Sequence, residues 1–243
     1  MSSTFQAIPR RGRSQINMTR IDLVVPVYNE YDSLSQLVAS ADFVEQQSFN
    51  VIFVNNGSTD IRVERALSIC ESLGLCKVVS TKVNLGFGGG VKHGLGECSS
   101  EIVGWYPLNL KVDLKDVARI AKDLRSGGPF LVKAWRSQRP LVDSIKTLAV
   151  GIIHSIVSFV NLLDSGGTPT FTNMRARILD AELPSGYEFE LAVLLIARSE
   201  NWEITRPKVR YGKRKFGHSH WQTNLTSEFH LLQKQLRFLR KSK

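Results

Sequence analysis

Four short apolar runs, each stopped by a polar turn and followed by a segment with helical spacing, dominate the first half of this 243-residue sequence. Apolar strands that alternate with helices are typical of a parallel, doubly wound sheet covered on both faces. We therefore predict an α/β fold whose turns line one crevice at the carboxyl ends of the strands. The four runs are IDLVVPVYNE (21–30), NVIFVNNGSTD (50–60), CKVVSTKVNLGFGGG (76–90) and EIVGWYPLNL (101–110).

The length and composition fit one substantial domain. With 42% hydrophobic and 22% charged residues, the chain can bury a sizeable core. We divide it into a basic arm (1–20), a main domain (21–225) and a basic amphipathic helix (226–243). The first twenty residues lack the apolar stretch of a secretory signal, and the three cysteines form no CxxC pair. We therefore expect a cytoplasmic protein.

The formal net charge of +10 is carried mainly by the N-terminal arm and by the stretch from Arg206 onward. This balance favours an anionic partner, which is a nucleic acid, a phosphorylated small molecule or an anionic membrane surface. Few aromatic side chains accompany the cations at the two ends, and proteins that bind single-stranded nucleic acid use such side chains for stacking. We therefore expect no nucleic-acid partner.

Two segments of the second half have helical spacing and leave alternatives open. The run SIKTLAVGIIHSIVSFVNLL (144–163) is the most apolar part of the chain, but its uninterrupted apolar stretches are too short for a transmembrane span. It is either a buried amphipathic helix or a helix that packs on the domain and touches a membrane. The segment SEFHLLQKQLRFLRKSK (227–243) is either a solvated helix or one attracted to anionic lipid.

Two loops are candidate anion sites. GFGGG (86–90) lies between a predicted strand and a predicted helix, where a loop can cradle phosphate, although its spacing departs from the dinucleotide-binding and P-loop patterns. YGKRKFGHSHW (211–221) combines cations, two glycines and a serine, which is typical of an ordered loop that closes on an anion. Its two histidines have no third ligand nearby, which argues against zinc.

Taken in order, these motifs resemble the family 2 glycosyltransferases of the GT-A fold, especially the branch of polyprenyl-phosphate (dolichyl-phosphate) sugar synthases. VVPVYNE is similar to that family's opening strand and turn, FVNNGSTD to its VDDGSTD turn, and NLGFGGGVKHGL to its asparagine-glycine loop and helix. The stretch from Tyr187 to Trp221 is similar to its acidic helix, the strand that follows and the R..G.S.W signature. The resemblance runs from about Ile21 to Trp221.

The resemblance implies a sugar transfer from a nucleotide-sugar donor, with nucleoside diphosphate as the leaving group. By position, the donor-binding residues are Pro26, Tyr28, Glu30, Asn55, Asn56, Ser58, Gly86 and Asn109. The acceptor-binding or phosphate-binding residues are Arg136, Arg139, Lys213 and Ser219. The catalytic residues are Asp164, Lys111 and Arg214.

The acidic motif that holds a divalent metal in this family is missing. Its positions align with Pro107, Asn109 and Lys111, and the acidic pair of the second turn has become Asn55-Asn56. Carboxylates supply the charge that makes Mg²⁺ or Mn²⁺ binding favourable. We therefore expect no metal held in the family's way, although Mg²⁺ or Mn²⁺ stays an alternative, and we predict no other cofactor.

Two interpretations of this departure stay open. In the favoured one, Lys111 and the basic loop at 213–215 neutralise the leaving diphosphate in place of a metal. In the other, the chain is a non-catalytic protein that binds sugar nucleotides. The favoured acceptor is a polyprenyl phosphate at the cytoplasmic membrane face, whose ionised oxygen needs no general base. A saccharide or another alcohol would need one, for which Asp164 is the candidate.

Overall fold

A computed structural model describes residues 21–40, 43, 49–124, 127–139, 141–159, 161–212 and 225–241. The strands are β1 (Ile21–Val27), β2 (Phe49–Asn56), β3 (Lys77–Thr81), β4 (Ile102–Trp105), β5 (Phe130–Lys133), β6 (Trp135–Ser137), β7 (Thr170–Thr172), β8 (Glu203–Thr205) and β9 (Lys208–Arg210). The helices are α1 (Tyr31–Val38), α2 (Ile61–Ser72), α3 (Gly86–Gly96), α4 (Leu114–Lys122), α5 (Leu141–Ser158), α6 (Arg175–Asp180), α7 (Glu188–Ser199) and α8 (Leu225–Lys241).

A seven-stranded sheet with the order β3-β2-β1-β4-β7-β5-β8 forms the centre of the described fold. Strands β3, β2, β1 and β4 are parallel neighbours, and β5 pairs with β8 in parallel. Strand β7 is antiparallel to both β4 and β5. The predicted mainly parallel α/β sheet is thus confirmed, with β7 as an inserted strand that the sequence patterns did not predict. Strands β6 and β9 form a separate parallel pair.

Both faces of the sheet are buried, as its continuous apolar strands require. Leu23 and Val25 of β1 pack in one apolar layer with Phe53, whereas Val24 packs in the other layer with Val54. All five side chains are at most 1% exposed. Because consecutive strand residues point to opposite faces, a strand apolar at every position is stable only between two layers of helices.

The glycine-rich segment is helical at the point where a loop was predicted. Helix α3 begins at Gly86, so GFGGG forms its first turn, and the prediction of a loop over 86–90 is wrong. A Cβ added at Gly94, two turns later, would collide with the side chains of Val24 and Val54. The glycines therefore let α3 approach the sheet more closely than an ordinary helix could.

Helices α5 and α8 pack against each other at the edge of the domain. The buried residues His154 of α5 and Leu239 of α8 face the interior. Helix α5 therefore packs on the domain with one face and exposes a row of apolar side chains on another, and membrane contact of the 144–163 segment stays a prediction. These side chains belong to Leu141, Ile145, Leu148, Ile152 and Ile156, with Phe159 just beyond the helix. In the described ranges, no helix is both long and apolar enough to cross a membrane.

Candidate functional site

The turns that follow β1 and β2 meet at the carboxyl edge of the sheet and are joined by Asn29. The Asn29 backbone N–H donates to the Ser58 hydroxyl oxygen at 3.1 Å. Its side-chain oxygen accepts from the backbone N–H groups of Thr59 at 2.9 Å and Asp60 at 3.1 Å. Asn29 has a φ of 52°, a left-handed conformation that asparagine adopts more readily than most residues. It lay in the predicted turn, but the resemblance gave it no role.

Several predicted donor-binding residues lie along this rim, and two of them also hold the second turn. The Ser58 hydroxyl is 3.4 Å from the carbonyl oxygen of Val27, to which it donates. The Ser58 backbone N–H donates to the Asn55 side-chain oxygen at 3.1 Å. The predicted donor-binding residues at these two turns are Pro26, Tyr28, Glu30, Asn55 and Ser58. Their contact with a nucleotide stays a prediction.

Asn56, also predicted to bind the donor, is 2% exposed, and its amide is used inside the protein. Its nitrogen donates to the Asn84 side-chain oxygen at 3.2 Å and to the Gly86 carbonyl at 3.0 Å. Its oxygen accepts from the Leu85 backbone N–H at 3.1 Å and the Thr81 hydroxyl at 3.3 Å. A carboxylate could not donate to the first two oxygens. The Asn56 amide, where the family has an acid, can therefore donate to these two oxygens and accept from the other two groups.

Two N–H groups in the first turn of α3 are engaged within the protein. The Gly86 N–H donates to the Asn84 side-chain oxygen at 2.8 Å, and the Gly89 N–H donates to the Ser185 carbonyl at 3.0 Å. Gly86 has a φ of 76°, and a Cβ added there would press on the Ser185 carbonyl oxygen. The glycines of 86–90 thus accommodate the segment that precedes α7. The donor-binding role of Gly86 stays a prediction.

The corner where the family carries its metal motif is a tight turn made of Pro107, Asn109 and Lys111. The Asn109 side-chain oxygen accepts from the Lys111 backbone N–H at 3.1 Å, and the Asn109 N–H donates to the Pro107 carbonyl at 2.8 Å. Leu110 between them has a φ of 51°. Among the described residues, no group of three His, Cys, Asp or Glu side chains could hold a metal ion. One amide oxygen engaged by the backbone does not fit Mg²⁺ or Mn²⁺.

Three of the predicted site cations converge on one aromatic ring. The Lys111 Nζ lies 5.3 Å from the centroid of the Tyr211 ring, and the guanidinium carbons of Arg136 and Arg139 each lie 5.4 Å from it. We call these four side chains the Tyr211 cluster. The Gly212 N–H donates to the Lys111 carbonyl at 2.7 Å, which ties β9 to the metal-motif corner. Attraction to the ring offsets part of the repulsion among the cations, and an anion would offset more.

Asp164, the candidate base, is paired with Arg136 of this cluster. The Asp164 carboxylate is 4% exposed, accepts the Arg136 backbone N–H at 3.0 Å and forms an ion pair with the Arg136 guanidinium. Burial opposes the charge of Arg136, but the Asp164 carboxylate and the Tyr211 side chain together outweigh it and hold the pKa of Arg136 above its ordinary value. Arg206 donates to the Asp164 carbonyl at 2.8 Å. Asp164 therefore orients Arg136, and its role as a base stays a prediction.

A buried ion pair that sequence reasoning missed lies behind this loop. The side chains of Lys133 and Glu190 are each 1% exposed, and their charged atoms are 2.5 Å apart. The Lys133 ammonium also donates to the Gly166 carbonyl at 2.8 Å and the Thr168 hydroxyl at 3.2 Å, and the Trp105 indole N–H donates to Glu190 at 2.8 Å. Burial lowers the pKa of Lys133, and the Glu190 charge opposes that shift. The only available signal was a lysine at the end of an apolar strand.

The acidic start of α7 is covered by the C-terminal helix. Glu188 is 1% exposed, and the Lys234 ammonium of α8 lies 3.2 Å from its carboxylate. A negative charge in the first turn of a helix is also favourable to the helix dipole. The predicted residues Lys213, Arg214 and Ser219 lie outside the described residues, which resume at Leu225.

The chain is similar to known proteins in both sequence and structure. Residues 22–108 match the model of the glycosyl transferase family 2. The chain is 26% identical over 136 residues to the dodecaprenyl-phosphate galacturonate synthase of Rhizobium johnstonii, a match covering 54% of this chain and 40% of that protein. It is 23% identical over 206 residues to the undecaprenyl-phosphate 4-deoxy-4-formamido-L-arabinose transferase of Serratia proteamaculans, covering 82% and 62% respectively. The matches thus span less than two thirds of either relative.

A solved structure resembles the fold across almost the whole chain. It is the glucosyl-3-phosphoglycerate synthase of Mycobacterium tuberculosis in complex with Mn²⁺, uridine diphosphate and glucosyl-3-phosphoglycerate, with a TM-score of 0.68 and 16% identity. The alignment covers 97% of this chain and 86% of that one. At this identity the likeness concerns the course of the backbone, including the sheet edge at which the candidate residues lie.

Proposed function

Because the chain carries a family 2 glycosyltransferase domain on a GT-A fold, we propose that it transfers a sugar from a nucleotide-sugar donor to a polyprenyl phosphate. The donor nucleotide binds at the rim formed by the turns after β1 and β2. The sugar and the two phosphate groups face the metal-motif corner. The observation that carries this proposal is the convergence of Lys111, Arg136 and Arg139 on Tyr211 at that corner.

Both proposed substrates carry phosphate groups, which explains why three cations lie together at this corner. A phosphate oxygen of the acceptor attacks the anomeric carbon, the bond from that carbon to the diphosphate oxygen breaks, and the nucleoside diphosphate leaves. The attacking oxygen is already ionised, so no general base is needed. Arg136, oriented by Asp164, and Arg139 bind the acceptor phosphate, while Lys111 faces the leaving diphosphate. Fixed cations aimed at developing charge lower the barrier because they need no reorganisation.

In this proposal Lys111 takes over the charge neutralisation that a metal ion supplies in relatives of this fold. The Mycobacterium tuberculosis enzyme was solved with Mn²⁺. In the present chain the corresponding corner offers an engaged amide and a lysine, which do not fit a divalent cation. A resident ammonium group is held by its own chain and cannot be removed by a chelator. Glycosyl transfer that does not depend on a metal ion therefore distinguishes this mechanism from one that uses a bound divalent cation.

We further propose that helices α5 and α8 place the protein on an anionic membrane surface at the cytoplasmic face. Helix α5 exposes the apolar row that begins with Leu141, and Ile156 in that row is 66% exposed. The adjacent helix α8 exposes Lys234, Arg237 and Arg240 at helical spacing. An apolar row beside a cationic one is what an interfacial helix pair needs to enter the headgroup region of anionic lipid. A lipid-linked acceptor would be met there.

The test is a panel of nucleotide sugars in thermal-shift assays, each with EDTA and with Mg²⁺ or Mn²⁺. Turnover of the donor that shifts the melting temperature is then measured with polyprenyl phosphate in detergent or vesicles. We expect one donor to stabilise the protein in EDTA and to be consumed only when the lipid phosphate is present. If no donor shifts the melting temperature in either condition, the proposal is wrong.

A second candidate function is a non-catalytic sugar-nucleotide binding protein. It is favoured by one observation: the Asp164 carboxylate, the candidate base, is taken up by Arg136. Such a protein would bind the donor yet never consume it, whichever acceptor is offered. A saccharide or another alcohol as acceptor would instead require Asp164 to exchange its partner, and it would make turnover sensitive to Asp164→Asn. The same panel, extended to saccharide acceptors, separates these outcomes.

A further inference from the structure

Cys70 and Cys76, neither of which was assigned to the candidate site, bring their sulfur atoms to 3.0 Å from each other. Cys70 lies in the last turn of α2 and is 3% exposed, whereas Cys76 is partly exposed and immediately precedes β3. A disulfide bond is about 2.05 Å long, so closing the gap requires a movement of about 1 Å. Small side-chain rotations are enough for a movement of that size.

The backbone around the pair is fixed by its own hydrogen bonds. The Leu75 N–H donates to the Cys70 carbonyl at 3.1 Å, and the Val78 N–H donates to the Glu71 carboxylate at 2.8 Å. Gly74 between them has a φ of 68°, which closes the turn. The two sulfurs are therefore held together by a short, closed connection between α2 and β3.

The hydrogen bond between the thiols makes their reactivity unequal. The Cys76 thiol donates to the Cys70 sulfur, which lowers the pKa of Cys70 and raises the pKa of Cys76. Because the thiolate is the nucleophilic form, the shared hydrogen bond favours Cys70 as the attacking sulfur, and Cys76 lies within reach to resolve the product. Burial raises the pKa of Cys98 to about 12, so this third thiol is the internal control.

We propose that Cys70 and Cys76 are a modification site that a hydroperoxide converts to an intramolecular disulfide. The Cys70 thiolate attacks one peroxide oxygen, the O–O bond breaks, and a sulfenic acid and hydroxide form. The Cys76 sulfur then attacks the Cys70 sulfur, its proton is taken up by the departing hydroxide, and water leaves. In sum, two thiols lose two electrons and two protons, and one hydrogen peroxide becomes two waters. A dithiol reductant reverses the change by thiol-disulfide exchange.

The disulfide bond would link the edge strand β3 covalently to helix α2. Strand β3 is an edge strand that pairs only with β2 among the described strands. Its far end, Thr81, contacts the Asn56 amide that holds the turn before α3. Linking the start of β3 to α2 keeps the edge strand in place when the protein begins to unfold. We therefore expect oxidation to raise the melting temperature.

The experiment treats the full chain with hydrogen peroxide, denatures it, alkylates free thiols and maps the tryptic peptides. One peptide, from Ala66 to Lys77, contains both cysteines. We expect it to be two hydrogens lighter and unalkylated until dithiothreitol is added. The peptide with Cys98 should be alkylated throughout. Oxidised protein should melt at a higher temperature than reduced protein, and Cys98→Ser should behave as wild type.

Either of two results would overturn the proposal. One is full alkylation of both cysteines after peroxide, and the other is their conversion to sulfinic acid or to an intermolecular dimer without the internal bond. The Cys76→Ser variant tests the order of events, since it should trap Cys70 as sulfenic acid, detectable with dimedone. If dimedone labels Cys98 instead, the assigned reactivity is wrong. None of these readouts depends on glycosyl transfer.

Discussion

The Lys111 ammonium lies 5.3 Å from the centroid of the Tyr211 ring, which also receives Arg136 and Arg139. One neutral aromatic ring thus organises three cations that come from two separate stretches of chain, one with Lys111 and one with Arg136 and Arg139. A cation over an aromatic face is stabilised by about 0.5 to 2 kcal/mol, depending on its desolvation. The ring therefore fixes the positions of the charges without neutralising them itself, and the Asp164 carboxylate additionally pairs with Arg136.

Replacing Tyr211 by leucine should weaken phosphate binding while leaving the fold intact. The ring is the one contact that the three cations share, so its loss removes the support that brings them together. A loss of about 1.4 kcal/mol corresponds to a tenfold change in affinity, and we expect at least that increase in KM for the acceptor phosphate. Tyr211→Phe keeps the ring, so its KM for the acceptor phosphate should stay within about threefold of that of wild type. Equal effects of the two variants would contradict the role of the ring.

The Lys133–Glu190 pair offers a test of how the loop that carries Asp164 is held. Lys133→Met leaves a buried carboxylate unpaired and should cost about 3 to 5 kcal/mol of unfolding free energy. The double variant Lys133→Met/Glu190→Gln has no unpaired charge and should recover much of that stability in urea titrations. Its kcat should stay low, because nothing then holds the Gly166 carbonyl and the Thr168 hydroxyl. Recovery of both stability and kcat would mean that the pair has only a structural role.

Asn56→Asp should destabilise the protein although it restores the acidic residue of the family. The new carboxylate would face two acceptors, the Asn84 side-chain oxygen and the Gly86 carbonyl, where the amide now donates. We expect a loss of about 2 to 4 kcal/mol in unfolding free energy. Asn55→Asp is the matched control, since the contact of Asn55 with Ser58 uses its oxygen only. That variant should unfold within about 1 kcal/mol of wild type.

The buried Asp22 carboxylate should make part of the unfolding free energy depend on pH in the acid range. The 2% exposed carboxylate accepts the N–H groups of Ser99 and Ser100 at 2.6 and 2.9 Å, and it also accepts from Asn50 at 2.9 Å. Burial raises the pKa of Asp22, but these hydrogen bonds outweigh burial and lower it below 3.8. Because the pKa is depressed in the folded state, the stabilisation is complete above the unfolded pKa and is lost as the pH falls through the folded one.

Asp22→Asn should therefore lower the unfolding free energy at pH 7 by about 2 to 3 kcal/mol. The difference from wild type should shrink as the pH falls below about 4, where the unfolded carboxylate takes up its proton. Urea titrations of both proteins between pH 3 and pH 7, a range that includes the pKa of the unfolded carboxyl at about 3.9, measure the difference. A difference that is constant over this range would contradict the depressed pKa.

The membrane proposal is tested by co-sedimentation with vesicles. The double variant Ile145→Glu/Ile152→Glu places charge in the exposed row of α5 and should lose binding to vesicles that contain anionic phospholipid. Ile69→Glu is the control, because Ile69 is 60% exposed on the distant helix α2. Binding of wild type to anionic but not to zwitterionic vesicles is expected. If the α5 variant sediments as wild type does, α5 is not the docking face.

The sequence predicted the parallel sheet and its crevice because continuous apolar strands and polar turns are local signals. It did not predict β7, since three residues that begin and end with threonine carry no periodicity. It placed the glycines of 86–90 in a loop, because glycine lowers helix propensity. Their reason is the close approach of Ser185, which lies about a hundred residues later. Lys133 escaped notice since a buried charge becomes intelligible only when its partner, Glu190, is known.

The candidate cations were predicted from resemblance, but their meeting point was not. Lys111, Arg136 and Arg139 had been assigned to two separate roles, and Tyr211 stood merely at the edge of a basic loop. The pairing of β6 with β9 brings Arg136 and Tyr211 to the same end of the domain. Such long-range pairing has no local signature in the sequence. The proximity of the three cations to Tyr211, from which the phosphate site is inferred, therefore became visible only in the fold.

In the proposed mechanism Lys111 replaces the metal, and turnover in the presence of EDTA is the decisive measurement. We predict that wild type consumes the donor equally well with EDTA and with Mg²⁺. Lys111→Ala should lose about 100-fold or more in kcat, as expected for removal of a charge-stabilising group. Lys115→Ala, an exposed lysine on α4, should stay within about twofold of wild type. A strict requirement of wild type for a divalent cation, together with an active Lys111→Ala variant, would contradict the account.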